Sequence, residues 1–307
     1  MNSSFMYKWK KNTIQRVIHM LDPRLLRAFV TIIETGSFTL AAERLHMTQS
    51  TVSQQLARLE QATGKPLIDR NTRPLQLTTA GEYLISYARR ILALQQEAQT
   101  VLGDPTGTIP IHIGLPEDIM STDMALALSA FSQQHRSIRL DVTAGLSREL
   151  MEGYRSGQFD LVIVKEAIAS ADHHATFPEE MAWFESIEYG GNWPDPVPLV
   201  TFPQGGLYRE EMFERIERER QHWYIAFTSN SLASVLTGVE TGLGISLLPV
   251  ATTKGHRVQV YQPLGKANPM AVSIYAWNQD GLVATLLQQM TAVLNRRFEQ
   301  SKSHPGE

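Results

Sequence analysis

The sequence predicts an α/β protein in two parts: a small winged helix-turn-helix with a long linker helix, followed by two α/β lobes. Three observations predict it. Charge is divided along the 307 residues, with 13 Lys and Arg against 6 Asp and Glu in residues 1–90, and 15 against 25 in residues 91–307. Near the amino end, two short helical segments meet across a two-residue turn, and such a pair is a helix-turn-helix. Beyond residue 108, strand-like and helix-like runs alternate, the pattern of a parallel sheet with right-handed crossovers. More than one core is expected, because single hydrophobic cores usually stop growing at roughly 250–300 residues.

Composition narrows the class. With 43% hydrophobic and 19% charged residues, the chain as a whole is neither disordered nor of low complexity. It has no cysteine, which excludes disulfides, thiolate metal sites and a cysteine nucleophile and suits a reducing compartment, so the cytoplasm is expected. No apolar run approaches the roughly 18 residues needed to cross a bilayer, so no membrane association is expected. Residues 1–19 carry Lys8, Lys10, Lys11 and Arg16 without an apolar signal region, so secretion is not expected; they read as a basic extension, either a disordered arm or the product of a start codon chosen upstream of Met20. The basic first part suits nucleic acid and the acidic remainder does not. A solvated basic face without a partner is the competing reading of charge alone.

In the first part, Leu25, Leu26, Phe29, Val30 and Ile33 recur at helical spacing and end at Gly36, a residue that readily closes a helix. Ser37 can cap the next helix, which buries Phe38, Ala41, Ala42 and Leu45, and Thr48 can cap a third after the turn His46-Met47. The third helix aligns Val52, Leu56 and Leu59 on one side and Ser50, Ser53, Gln54 and Ala57 on the other. Surface helices are usually filled with Lys and Glu, so a small neutral face fits close approach to base edges in a major groove. Leu67-Ile68-Asp69 and Leu75-Gln76-Leu77 flank a polar tip and read as a β-hairpin wing, which presents Arg70 and Arg73 to phosphates or a minor groove. From Thr79 a long helix carries Leu84, Tyr87, Ile91, Leu94, Ala98 and Val101 at alternating spacings of three and four. That stripe is a candidate dimerisation seam, with packing on its own domain as the alternative.

These runs, above all Gly36-Ser37-Phe38-Thr39-Leu40-Ala41-Ala42-Glu43-Arg44-Leu45, Thr48 to Leu56, and Leu77-Thr78-Thr79-Ala80-Gly81, resemble the winged helix-turn-helix of the LysR-type transcriptional regulators. Two positions depart from that pattern: many relatives carry Arg where this chain has Gln54, and Phe where it has Ile68. Arg58 is then the only cation between Thr48 and Glu60, and affinity must lean on the wing and on dimerisation. The resemblance makes Ser37, Thr39, Thr48, Gln49, Ser50, Thr51, Ser53, Gln54, Arg58, Arg70 and Arg73 the candidate DNA contacts. It implies a homodimer, or a dimer of dimers, on an interrupted inverted repeat in double-stranded DNA.

The domain boundaries follow: residues 20–78 for the winged helix-turn-helix, 79–102 for the linker helix and 103–108 for a Gly- and Pro-marked hinge. The strand-like runs 109–114, 138–143 and 159–164 alternate with helices near 118–134 and 147–155. A second series, 198–202, 223–228 and 244–248, alternates with helices near 207–220 and 231–241. Residues 270–277 and a last helix near 280–299 return to the first lobe. The first lobe therefore takes residues 109–165 and 270–299, the second takes 166–269, and 300–307 form a tail. This half resembles the regulatory half of the same family, whose two lobes are hinged like a periplasmic solute-binding protein. Gly242-Leu243-Gly244-Ile245 with Leu248-Pro249 matches a recurrent family segment.

Open parallel sheets bind ligands at the carboxyl ends of their strands. Position therefore nominates Pro116, Glu117, Asp118, Thr143 and Lys165 in the first lobe, and Phe202, Pro203, Thr228, Ser229, Asn230 and Ser231 in the second, for a small-molecule effector. Glu117 and Asp118 would repel a dianion unless Lys165 offsets them, so a neutral, zwitterionic or mixed aromatic ligand is preferred. His173-His174 lacks a third ligand at metal spacing. Gly242-x-Gly244 is not followed by a helix, and no nucleotide loop or nucleophile elbow occurs. Neither cofactor, metal nor enzymatic reaction is expected. The expected function is an effector-responsive regulator that changes DNA bending. Its alternative is a ligand-independent architectural DNA-binding protein with a vestigial solute-binding-like half.

Overall fold

A computed structural model describes residues 22–103, 108–219 and 222–302. The expected basic extension, most of the hinge and most of the tail lie outside them. The chain divides into two compact units, one up to Gly107 and the other from Thr108 onward apart from the turn at 155–158.

In the first unit, α1 spans Pro23–Thr35, α2 Phe38–Arg44 and α3 Gln49–Thr63. Each boundary follows from local chemistry. Asp22 caps α1 by accepting from the Arg24 amide, Pro23 pre-sets the first turn, and Gly36 leaves the helix at φ 64°. Ser37 and Thr48 cap α2 and α3 through the Leu40 and Thr51 amides. Leu26, Phe29 and Ile32 of α1 meet Val52, Leu56 and Leu59 of α3 in one core, all fully buried; each contributes about 1.5–3 kcal/mol. Strands β1 (Ile68–Asp69) and β2 (Gln76–Leu77) form an antiparallel hairpin, Ile68 opposite Leu77. Helix α4, Thr79–Gly103, follows at once. The wing and α4 come so close that a Cβ on Gly81 would lie 2.1 Å from the Leu67 carbonyl oxygen, so only glycine fits there.

The first lobe of the second unit contains β3 (Ile109–Leu115), α5 (Thr122–Gln134), β4 (Ile138–Ala144), α6 (Ser147–Arg155) and β5 (Leu161–Glu166). It is completed by β6 (Ala175–Glu179), β12 (Met270–Ala276) and the last helix, α9 (Gly281–Lys302). Its sheet runs β4-β3-β5-β12-β6. Strands β3, β4 and β5 are parallel, but β12 is antiparallel to β5 and β6. The parallel pairing expected for β3, β4 and β5 is present, and the sheet becomes mixed at β12, which enters from the other lobe in the opposite direction. The expected start of the second lobe at residue 166 also moves: Ala175–Glu179 is an edge strand of the first lobe, held by the ladder from Met270↔Glu179 to Ile274↔Ala175.

The second lobe holds β7 (Met181–Ser186), β8 (Val197–Thr201), α7 (Leu207–Arg218), β9 (Trp223–Thr228), α8 (Leu232–Glu240), β10 (Ser246–Pro249) and β11 (Val258–Val260). Strands β8 and β9 pair in parallel, and β10 and β11 flank β7 antiparallel. A parallel bridge between Leu199 and Ile245 joins the two ladders. Gly244 permits that bridge, since a Cβ there would sit 2.5 Å from the Pro198 carbonyl oxygen. The chain thus passes between the lobes through Glu180, between β6 and β7, and returns through residues 265–269 to β12. Each lobe has its own core, around Phe131, Ile163 and Leu286 in the first and around Trp183, Met212 and Leu247 in the second.

Candidate functional site

The amino end of α3 gathers hydroxyls. Thr48 Oγ1 lies 2.9 Å from Ser50 Oγ and 2.8 Å from Thr51 Oγ1, while its cap bond fixes the first turn. Gln49, Ser50, Gln54, Ala57 and Arg58 are exposed, and Thr51 and Ser53 are half-buried. The neutral face expected from the sequence is therefore presented outward in one row, opposite Val52, Leu56 and Leu59. Thr39 is exposed near the start of α2, whereas Ser37 is occupied first as that helix's cap.

The two wing arginines differ. Arg73 is exposed at the hairpin tip. Arg70 donates to Glu60 at 3.0 Å, and its guanidinium lies 5.9 Å from the centre of the Phe38 ring. Glu60 also accepts from the Leu67 amide at 2.9 Å, so this carboxylate ties the base of the wing to α3. Glu60 was not among the sequence candidates. Its signal was available only as the single carboxylate of that helix, followed ten residues later by Arg70.

The expected seam on α4 divides. Leu84 and Ile91 pack against the core of their own unit beside the buried Ile85 and Ala88. Tyr87 and Leu94 remain 59% and 47% exposed, and Ala98 is exposed. The Val101 side chain is outside the described set. Tyr83, 74% exposed, and Leu102, 88% exposed, extend the outward row and were not anticipated.

The two lobes enclose a cavity of about 850 Å³. Pro116, Glu117, Asp118, Lys165, Phe202, Pro203, Asn230 and Ser231 line it, as position at the strand ends predicted. Thr143, Thr228 and Ser229 do not. After β4 the lining begins one residue later, at Ala144, and continues into the first turn of α6. Thr228 ends β9, and the Ser229 hydroxyl turns to accept from the Ser231 amide. Gly206 and Tyr208, at the start of α7, were missed although they line the wall.

Lys165 does not offer a free charge to a ligand. Its side chain is 3% exposed, and Nζ lies 2.6 Å from Asp118 Oδ2 and 2.7 Å from Glu179 Oε2. Nζ also donates to the Tyr208 hydroxyl at 2.7 Å. Arg297 adds a second cation, 3.3 Å from Asp118 Oδ2 and 3.7 Å from Glu179 Oε1. Two cations and two carboxylates thus neutralise each other beneath the cavity. Burial alone would discharge Lys165, but Tyr208, Asp118 and Glu179 outweigh it and hold the ammonium above its usual range. Asp118 is buried too, yet Lys165 and Arg297 keep it below the ordinary carboxylate range. Burial, reinforced by the Asp118 charge, pushes Glu179 up. Lys165 therefore offsets the Asp118 charge within the protein by a direct ion pair.

Among the described residues, no group of three or more His, Asp or Glu is placed to hold a metal ion. No described helix is long and apolar enough to cross a membrane.

A family model for bacterial regulatory helix-turn-helix proteins of the lysR family matches residues 23–82, and one for the LysR substrate binding domain matches residues 105–299. The regulator DgdR of Burkholderia cepacia is 31% identical over 240 residues, 77% of this chain and 80% of that one. PecT of Dickeya dadantii is 31% identical over 241 residues, 78% and 75% of the two chains. Both are named HTH-type transcriptional regulators. In three dimensions, full-length LysG from Corynebacterium glutamicum superposes with a TM-score of 0.56 at 21% identity, covering 89% of this chain and 98% of LysG. With an exposed neutral helix face in its first unit and a cleft between two lobes in its second, the chain belongs to the LysR family: it is a DNA-binding transcription regulator with an effector-binding domain, not an enzyme.

Proposed function

We propose that this regulator reads an interrupted inverted repeat in double-stranded DNA and changes the DNA bend when a small molecule enters the cavity between its lobes. The observation that carries the reading is the 850 Å³ cavity, built from both lobes at the carboxyl ends of β3, β5, β8 and β9, where open α/β sheets take their ligands. The solved LysG holds its effector Arg, which supports a small-molecule occupant on this fold.

On the DNA side, Gln49, Ser50, Ser53 and Gln54 supply base contacts, and Thr39, Thr48, Thr51 and Arg58 supply backbone or flanking contacts. Arg73 supplies phosphate or minor-groove contacts, and Arg70 reaches DNA only in competition with Glu60. Homodimers, or dimers of dimers, form through the outward row of α4, in the cytoplasm where the DNA lies. The ligand acts by population shift, which requires unequal affinity for two arrangements of the assembly; the bent and less bent DNA then differ in deformation energy.

A thermal-shift screen of the full-length protein against small metabolites, followed by footprinting with each hit, tests this. A compound that stabilises the protein should shorten or shift the protected stretch of DNA. If compounds that bind leave the footprint unchanged, the protein is the ligand-independent architectural alternative.

A further inference from the structure

The carboxylates around the cavity mouth specify no ligand. Glu117, Glu149 and Glu210 each sit in the first turn of a helical segment, where a carboxylate complements the helix dipole. The floor differs. Lys165, Asp118, Glu179 and Arg297 all belong to the first lobe, and Tyr208 reaches them from the second. The Tyr208 ring packs edge-on to Phe202 at 5.2 Å between centroids, within the second lobe's core.

An ammonium has three N–H donors. Lys165 Nζ donates to Asp118 and to Tyr208, with Glu179 Oε2 an ion-pair partner 2.7 Å away, so one of its two hydrogen bonds lasts only while the second lobe holds Tyr208 in place. The lobes are joined through Glu180 and through residues 265–269. Rotation about those two crossings would draw the hydroxyl away with its whole lobe. Lys165 would then be left one partner short in a buried place, and a buried donor without a partner is costly.

We propose that the Lys165–Tyr208 hydrogen bond is a latch between the lobes that sets the width of the cavity before any ligand arrives. Both residues line that cavity, so a seated molecule touches the latch and biases it. This regulatory consequence rests on the reading of the cavity as the effector site; the mechanical part does not.

The absence of cysteine makes the latch measurable in the full chain. Glu152→Cys on α6 and Glu214→Cys on α7 replace side chains that are each 68% exposed, and spin labels there report the distance between the lobes without ligand. Tyr208→Phe keeps the ring and removes the hydroxyl; it should raise the ratio of long-distance to short-distance forms about tenfold, the factor for one charge-assisted hydrogen bond. Tyr275→Phe removes a hydroxyl that donates to Glu166 inside the first lobe, and should leave the parent's distribution. An unchanged distribution in Tyr208→Phe overturns the latch. Equal broadening in both variants overturns it too, as general softening. Neither result decides whether an effector binds, which the footprint tests separately.

Discussion

At Gly81 the wing and α4 approach so closely that one methyl group decides the fold of the first unit. The nearest atom to an added Cβ, at 2.1 Å, is the backbone oxygen of Leu67, which cannot rotate aside like a side chain. Gly81→Ala should therefore cost on the order of 2–4 kcal/mol, in the range of overpacking and backbone strain. The midpoint of urea unfolding, followed in the full chain, should fall accordingly. An unchanged midpoint would mean that the wing can shift away freely. Residues on the DNA face call for a different measurement. Gln54 is exposed on the base-reading row and Arg73 at the wing tip, so Gln54→Ala should relax preference among sites by about 1–3 kcal/mol at one base position. Arg73→Ala should instead weaken all sites and lower the salt slope by about one charge. Equal loss everywhere in both variants would refute this division of labour.

The elements separate what local patterning encodes from what it does not. Caps and the turn between α2 and α3 were readable because Ser37, Thr48 and Gly36 act on their own neighbours. The seam on α4 was read as one stripe because a spacing of three and four says which residues share a face, not what covers it. Leu84 and Ile91 are taken by the chain's own core, and Tyr83, Tyr87, Leu94, Ala98 and Leu102 are left outward. Leu94→Glu should accordingly abolish self-association in sedimentation while leaving folding within about 0.5 kcal/mol, as for an exposed position. Ile85→Ala, at a buried position on the same helix, should cost about 2–5 kcal/mol and leave the folded protein associated. Strands β6 and β7 were illegible for another reason: Pro178, Glu179 and Glu180 interrupt their run. Glu179 can be buried there only because Lys165 and Arg297, from distant parts of the chain, supply its counter-charges. The partners of Lys165 were illegible for the same reason, since they are not its neighbours in sequence.

At the scale of the whole molecule, separate cores should unfold separately. The core around Phe29 and Leu56 shares no residue with those around Ile163 and Trp183, and proteins with several domains commonly depart from a single two-state transition. Calorimetry of the full chain should resolve two transitions, and one substitution can be aimed at each. Gly81→Ala should lower only the transition of the first unit. Lys165→Met should lower only the other, because removing the shared cation leaves Asp118 and Glu179 buried with Arg297 as their remaining counter-charge, a loss of about 3–5 kcal/mol by analogy with broken buried ion pairs. Adding Glu179→Gln to Lys165→Met should recover part of that loss, since the second change removes one stranded carboxylate; a double variant as unstable as the single would show that Glu179 is already neutral in the folded protein. A single transition shifted by either substitution alone would mean that the two units stabilise one another directly, and their independence would have to be given up.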